Sequence, residues 1–159
     1  MTEAPHGGKD SRLGKDLHAQ SQPEQAGLDG SDTYALYRRG LDLLGRGSAA
    51  AAALLLERAA AAEPRSPSVL EALARAQFDA RRYADAAGSF RQIVEASPSD
   101  DYAQFGLGLA LARTGDQRGA AEHLALAAAM RPDLRHYTDA LRQVRATLRA
   151  RGEAGPDEQ

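Results

Sequence analysis

From about residue 31 to residue 151 the chain alternates between apolar positions at helical spacing and short polar breaks. Tyr34, Tyr37, Leu41 and Leu44 follow an i, i+3, i+7, i+10 pattern, the stripe of one helical face. The breaks between such stripes hold Gly, Pro, Ser and Asp, the residues that stop one helix and cap the next. This pattern predicts seven helices. The first opens at Ser31 or Asp32, either of which can cap free amide groups, runs to about Arg46 and stops at Gly47. Ser48 is the expected cap of the second, over 49–62, which ends before Pro64. Ser66-Pro67 opens the third, with Pro at the first position where its missing N–H costs nothing, and that helix ends near Arg81. The fourth spans about 83–96, the fifth is capped by Ser99 or Asp100 and ends at Gly115, and the sixth runs from an Asp116 cap to about Met130. Asp133 is the expected cap of the seventh, which reaches about Arg151.

The helices repeat. Pro64, Pro98 and Pro132 are separated by 34 residues each, and other columns keep the same step: Gly40, Ala74 and Gly108; Ala52, Ala86 and Ala120; Leu56, Phe90 and Leu124. A fixed period of this size marks a stacked helical array. Helices that cross closely need a small residue at the contact, which the Gly/Ala and Ala columns supply; Leu56, Phe90 and Leu124 fill the space beside it. Ala59 and Ala127, with Ile93 between them, face the following pair.

These columns resemble the tetratricopeptide repeat family over roughly residues 33–134. The third unit carries the resemblance most fully, through Leu107-Gly108, Leu111, Gly115-Asp116, Ala120, Leu124, Ala127 and Pro132. The second does so through Leu73-Ala74, Tyr83, Ala86, Phe90 and Pro98, and the first through Gly40, Leu43, Gly47, Ala52, Leu56, Ala59 and Pro64. Residues 135–151 resemble the family's solvating end helix. The family's usual aromatic near Leu43 and Leu111 is missing, Gln77 takes that column in the middle unit, and Arg39 stands where Leu73 and Leu107 stand, which implies looser packing in the first unit. The expected fold is an all-α, right-handed α-solenoid of three antiparallel helix pairs (about 33–66, 67–100 and 101–134) plus a capping helix over 133–151. Residues 1–30 and 152–159 lack apolar periodicity and read as disordered tails.

The resemblance implies that the first helices of successive pairs line a concave groove. Tyr34, Tyr37 and Leu41 on the first helix correspond to Tyr102, Phe105 and Leu109 on the fifth, two periods on. Between them the third helix offers Glu71, Arg75 and Phe78 on the same face. The groove is expected to be aromatic at both ends and charged in the middle, and to take a peptide or partner helix, with Arg75 and Arg113 steering an acidic or polar group. Large aromatics left together in water exceed what a monomer normally exposes, so a partner protein, a second copy of the chain, the chain's own tail, or packing of the rings on one another must cover them. Some relatives hold the C-terminal carboxylate of chaperone tails with Lys and Asn; here the matching positions are Tyr37 and Leu41, and Tyr102 and Gly106, and without those donors a buried carboxylate stays unpaired.

Composition narrows the rest. Apolar residues make up 43% of the 159, enough for a core, while 20 basic against 22 acidic residues argue against a globally basic nucleic-acid binder. With no cysteine there is no disulfide or thiol chemistry. No secretory signal stands at the N-terminus and the longest apolar run, Ala49 to Leu56, has eight residues, far below about 18 for a membrane span. The expectation is a cytoplasmic protein with no membrane contact. Arg131, Arg135, Arg142, Arg145 and Arg149 share one face of the last helix, opposite Leu134, Tyr137, Leu141, Val144 and Leu148. That stripe reads as a solvated outer face; a nucleic-acid-associated regulator is the alternative. His6, His18, His123 and His136 show no metal spacing, although His123 and His136 lie on adjacent helices. No catalytic residue, metal or cofactor is expected, because nothing brings nucleophile, base and oxyanion donor together.

Overall fold

The structure, a computed structural model, describes residues 29–152. Seven helices and no strand occur among the described residues: α1 Gly30–Gly45, α2 Ala49–Ala62, α3 Pro67–Asp79, α4 Tyr83–Ala96, α5 Asp101–Thr114, α6 Gln117–Met130 and α7 Arg135–Ala150. Each packs against its neighbours in sequence. In addition α1 touches α3, α3 touches α5 and α5 touches α7, whereas α2, α4 and α6 do not touch one another. The odd-numbered helices are therefore drawn together on an inner side and the even-numbered ones splay outward. The expected tails at 1–30 and 152–159 lie almost wholly outside the described residues; Gly30, however, is already helical.

Caps hold the ends largely as expected. The side chains of Ser66, Asp100 and Asp116 accept from the amides of Val69, Ala103 and Gly119. Three caps differ. Asp29, not Ser31 or Asp32, caps α1, accepting from the Asp32 amide at 2.8 Å. Ser48 stands at the start of α2 but makes no side-chain cap bond. Asp133 pairs with Arg131 at 2.8 Å, so Leu134 takes the cap position of α7.

The core follows the repeat columns. Ala52, Leu56, Ala59, Ala120, Leu124 and Ala127 have no exposed surface; burying a leucine of this kind contributes about 1.5–3 kcal/mol. A Cβ at Gly40 would stand 2.6 Å from Leu56 Cγ, and one at Gly108 2.6 Å from Leu124 Cγ, so both close crossings require glycine. Gly106 is a third such position: a side chain there would collide with the Phe90 ring of the preceding unit. Gln77, the polar intruder in the middle unit, is buried but satisfied, accepting from the Ser89 hydroxyl at 2.6 Å.

Arg39 has a different explanation from loose packing. Ala72, Leu73 and Ala76 of α3 share one core cluster with Ala52, Ala53 and Leu56 of the preceding unit. One period earlier the same positions are Arg38, Arg39 and Asp42, and all three are exposed. No described unit packs on this side of α1, and charge there loses no packing among the described residues.

Candidate partner-binding groove

Helix α3 and helix α5 meet on the inner side at a cleft of about 90 Å³. Five of the ten predicted groove residues come together there: Arg75, Phe78, Tyr102, Phe105 and Leu109. Asp79, not named from sequence, Phe90, expected only as a packing residue, and Gly106, named only as a position without a carboxylate donor, complete it. Phe90 reaches through from α4 because Gly106 leaves it room. Glu71 lies one turn before Arg75 on α3. Tyr34, Tyr37 and Leu41 stay on α1, away from the cleft; Tyr34 is 62% exposed, while Tyr37 and Leu41 lean on the cluster around Leu56 and Leu73.

Ring packing accounts for several of the aromatics. Phe105 stacks on Tyr137 at 4.4 Å and meets His136 edge-on at 5.3 Å. Phe78 meets Tyr83 edge-on at 5.0 Å, and Phe90 meets Tyr102 at 6.1 Å. Tyr34 and Tyr102 are the tyrosines left exposed among the described residues. Burial pushes the Tyr102 phenol above its ordinary value; the field of Arg75 opposes this, and those of Glu71, Asp79 and Asp100 add to it.

Arg113 does not stand free on the rim. Its guanidinium donates to the Tyr83 hydroxyl at 3.1 Å and lies 5.3 Å from that ring and 6.0 Å from the Phe78 ring. Arg75 is thus the exposed cation facing the cleft. The inner surface also extends further than the sequence pattern indicated. A second depression, of about 230 Å³, lies between α5 and α7 and is lined by Leu109, Arg113, Ala140, Gln143 and Thr147 among others. The signal for it was present: Gln143 stands one period after Leu109 in the column that also holds Leu41 and Arg75.

The last helix and the two histidines have partners within the fold. On α7, Tyr137, Leu141, Val144 and Leu148 are buried, and Arg142 pairs with Asp139 at 3.0 Å. His123 bonds through Nδ1 to Gln104 Oε1 at 2.7 Å, and Gln104 donates from Nε2 to the Pro98 carbonyl at 2.9 Å. Burial lowers the His123 pKa. His136 packs on Phe105 and Tyr137 instead, so the two histidines serve different partners. No helix among the described residues is long and apolar enough to cross a membrane.

A staircase of antiparallel helix pairs with one lined face defines a helical-repeat solenoid. Residues 37–101 and 71–135 each match the family model of the tetratricopeptide repeat, and since those spans together cover more than half of the sequence, the chain belongs to that family. Solved structures of the same fold include the first TPR of Spaghetti (RPAP3) bound to an HSP90 peptide, with TM-score 0.70 and 20% identity, covering 77% of this chain and 98% of that one. MamA MSR-1 is similar at TM-score 0.70 and 24% identity, over 91% of this chain and 83% of that one. MamA from Desulfovibrio magneticus RS-1 is similar at 0.71 and 19%, over 85% and 81%. No curated protein matches the chain in sequence. At these identities the likeness is one of fold.

Proposed function

We propose that this chain is a non-enzymatic protein–protein interaction module, an adaptor, scaffold or assembly factor, that holds a peptide or partner helix along its inner face. The observation that carries the reading is the aromatic cleft between α3 and α5, with Tyr102 exposed at its mouth and the depression against α7 continuing it. The family, generally non-catalytic, supports it, as does the peptide-bound state of the RPAP3 domain. The HSP90 peptide itself is not proposed for this chain, in which Tyr37, Leu41, Tyr102 and Gly106 stand where such relatives carry the Lys and Asn that hold a terminal carboxylate. A groove of this length is expected to hold one peptide at around micromolar strength, about −8 kcal/mol.

The test is a peptide-display selection on the full chain, followed by titration of the enriched peptides against Tyr102→Ala. Binding is expected to fall by about tenfold, in line with loss of a central aromatic contact, with the helical circular dichroism unchanged. Peptides that bind the variant as tightly as the parent chain overturn the proposal.

A further inference from the structure

We infer that the cleft between α3 and α5 receives a basic side chain, a lysine or arginine of the docked segment, rather than the acidic group that exposed arginines in a groove would suggest. This rests on the reading of the inner face as a docking surface and adds the chemistry of the occupant.

Three observations carry it. The walls are aromatic: Phe78, Phe90, Tyr102 and Phe105 surround a space of about 90 Å³, room for the end of one side chain. The Phe90 and Tyr102 rings stand at 68° to each other and form two walls of one corner. Aromatic faces present negative charge to a cation, and a desolvated cation gains most from them.

Charge points the same way. The ionised groups whose fields reach Tyr102 are Arg75 against Glu71, Asp79 and Asp100. Asp100 is partly spent on its own helix, accepting from the Ala103 amide at 2.9 Å. Glu71 and Asp79 remain, one turn either side of Arg75, and they offset what Arg75 offers an incoming anion. Arg113, the second expected attractor of acids, keeps its charge but is drawn over the Tyr83 and Phe78 rings and does not line the cleft. The charged residues lining the cleft are Arg75 and Asp79, one of each sign, and Glu71 one turn from Arg75 adds a second carboxylate; the aromatic walls, which favour a cation, then decide between the two occupants.

The closing depth fits a flexible stem with a polar tip. Gly106 lines the cleft where any Cβ would press on Phe90, and Asp79 lies on the rim within the same lining. An aliphatic stem can cover the rings while its charged end reaches a carboxylate, the way long basic side chains divide themselves between apolar surface and polar partners.

The experiment is a titration of the isotopically labelled full chain, followed by amide chemical shifts, with the pentapeptide amide acetyl-Ala-Lys-Ala-Lys-Ala and its glutamate counterpart. The lysine peptide is expected to move the amides of Gly106 and of the Phe78–Asp79 end of α3, and the glutamate peptide to leave them in place. Glu71→Gln with Asp79→Asn, both on accessible positions, should weaken the lysine response about fivefold, the size expected for surface charge pairs, and Tyr102→Ala should remove it. Cleft shifts driven by the glutamate peptide and lost in Arg75→Gln overturn the inference and leave the docking surface standing. So does a silent cleft with the lysine peptide while display-selected binders still depend on Tyr102. If those binders ignore Tyr102 and neither pentapeptide moves any inner-face amide, the docking surface itself falls.

Discussion

The first unit and the last are built from the same columns and secured by different means. In both, the close crossing is glycine against leucine: Gly40 on Leu56 and Gly108 on Leu124, each with a Cβ-to-Cγ distance of 2.6 Å were a side chain added. Burial at these positions is the same, with no exposed surface on Ala52 and Leu56 or on Ala120 and Leu124. What differs lies outside the columns. The last unit is tied to its neighbours by half-buried polar bonds: the Tyr137 hydroxyl donates to Asp101 at 2.8 Å and Gln104 donates to the Pro98 carbonyl, while within the unit His123 bonds Gln104. The first unit is tied to the second by an ion pair, Glu57 with Arg82 at 2.6 Å, and its outer face is Arg38, Arg39 and Asp42. Periodic residues set the scaffold, and aperiodic ones decide how firmly each end is held.

The largest effect that bears on this contrast is a core truncation at each end. Leu56→Ala and Leu124→Ala remove equivalent buried side chains, and each is expected to cost about 2–5 kcal/mol. In a stack whose units touch only their neighbours, that cost need not spread evenly. Leu56→Ala should show as faster amide exchange confined to α1 and α2. Leu124→Ala, in the cluster that joins α3 to α7, should lower the urea midpoint of the whole array. Uniform acceleration across all seven helices in Leu56→Ala would make the chain one cooperative block and end the contrast.

A smaller effect isolates one of the ties. Tyr137→Phe keeps the ring stacked on Phe105 and deletes only the bond to Asp101; about 1 kcal/mol should be lost. Burial first, then the bond to Asp101, hold the phenol pKa above its ordinary 10.0. The neutral hydroxyl is therefore favoured in the folded chain. Its contribution is complete below pH 10.0 and is lost as pH rises through the raised folded value. Urea midpoints taken at neutral pH and in alkaline buffer should show a larger alkaline loss in the parent chain than in the variant, which keeps the part due to Tyr102. Equal midpoints for the two chains at neutral pH would show that this bond is no anchor.

Most of the scaffold was legible in the sequence because it depends on short-range spacing that one chain displays three times. The glycine crossings, the Ala and Leu columns, and the caps at Ser66, Asp100 and Asp116 all belong to that class. What was hidden depends on contacts between units. Gly106 is needed because Phe90 crosses from the preceding pair, and its column (Arg38, Ala72, Gly106, Ala140) gives no hint of a fixed requirement. Arg113 is claimed by Tyr83, thirty residues away, so its rim position alone misstated its role. The cap of α1 fell to Asp29, whose side chain accepts from the Asp32 amide; Ser31 and Asp32 offered the same chemistry two and three residues on, and spacing alone does not choose among the three. Half of the groove residues were found together because they share the inner face of α3 and α5; Asp79 and Gln143 were missed because their neighbours across the cleft come from other units.

The middle unit supplies the finest comparison, since one turn occurs three times with one exception in it. After α1, α3 and α5 the chain leaves the helix through Gly47, Arg81 and Gly115, which are 34 residues apart and have φ of 80°, 64° and 97°. Each turn closes with the same long bond, from the amides of Ser48, Arg82 and Asp116 to the carbonyls of Leu43, Gln77 and Leu111, at 2.8, 2.8 and 3.0 Å. The geometry is thus imposed by the repeat and not by glycine, and the middle unit adopts it with a residue whose Cβ disfavours it. A left-handed non-glycine residue costs about 1–2 kcal/mol, and glycine gives back roughly half to all of 1 kcal/mol in unfolded-state entropy. Arg81→Gly should therefore raise stability by about 0.5–1 kcal/mol, as Arg81 is exposed and gives up no packing. Gly47→Ala and Gly115→Ala have open space for the methyl group, so each should lower stability by about 1 kcal/mol through backbone strain alone. If Arg81→Gly instead destabilises the chain, the arginine side chain is holding the second unit in place, and the turns are not equivalent in the way their dihedral angles imply.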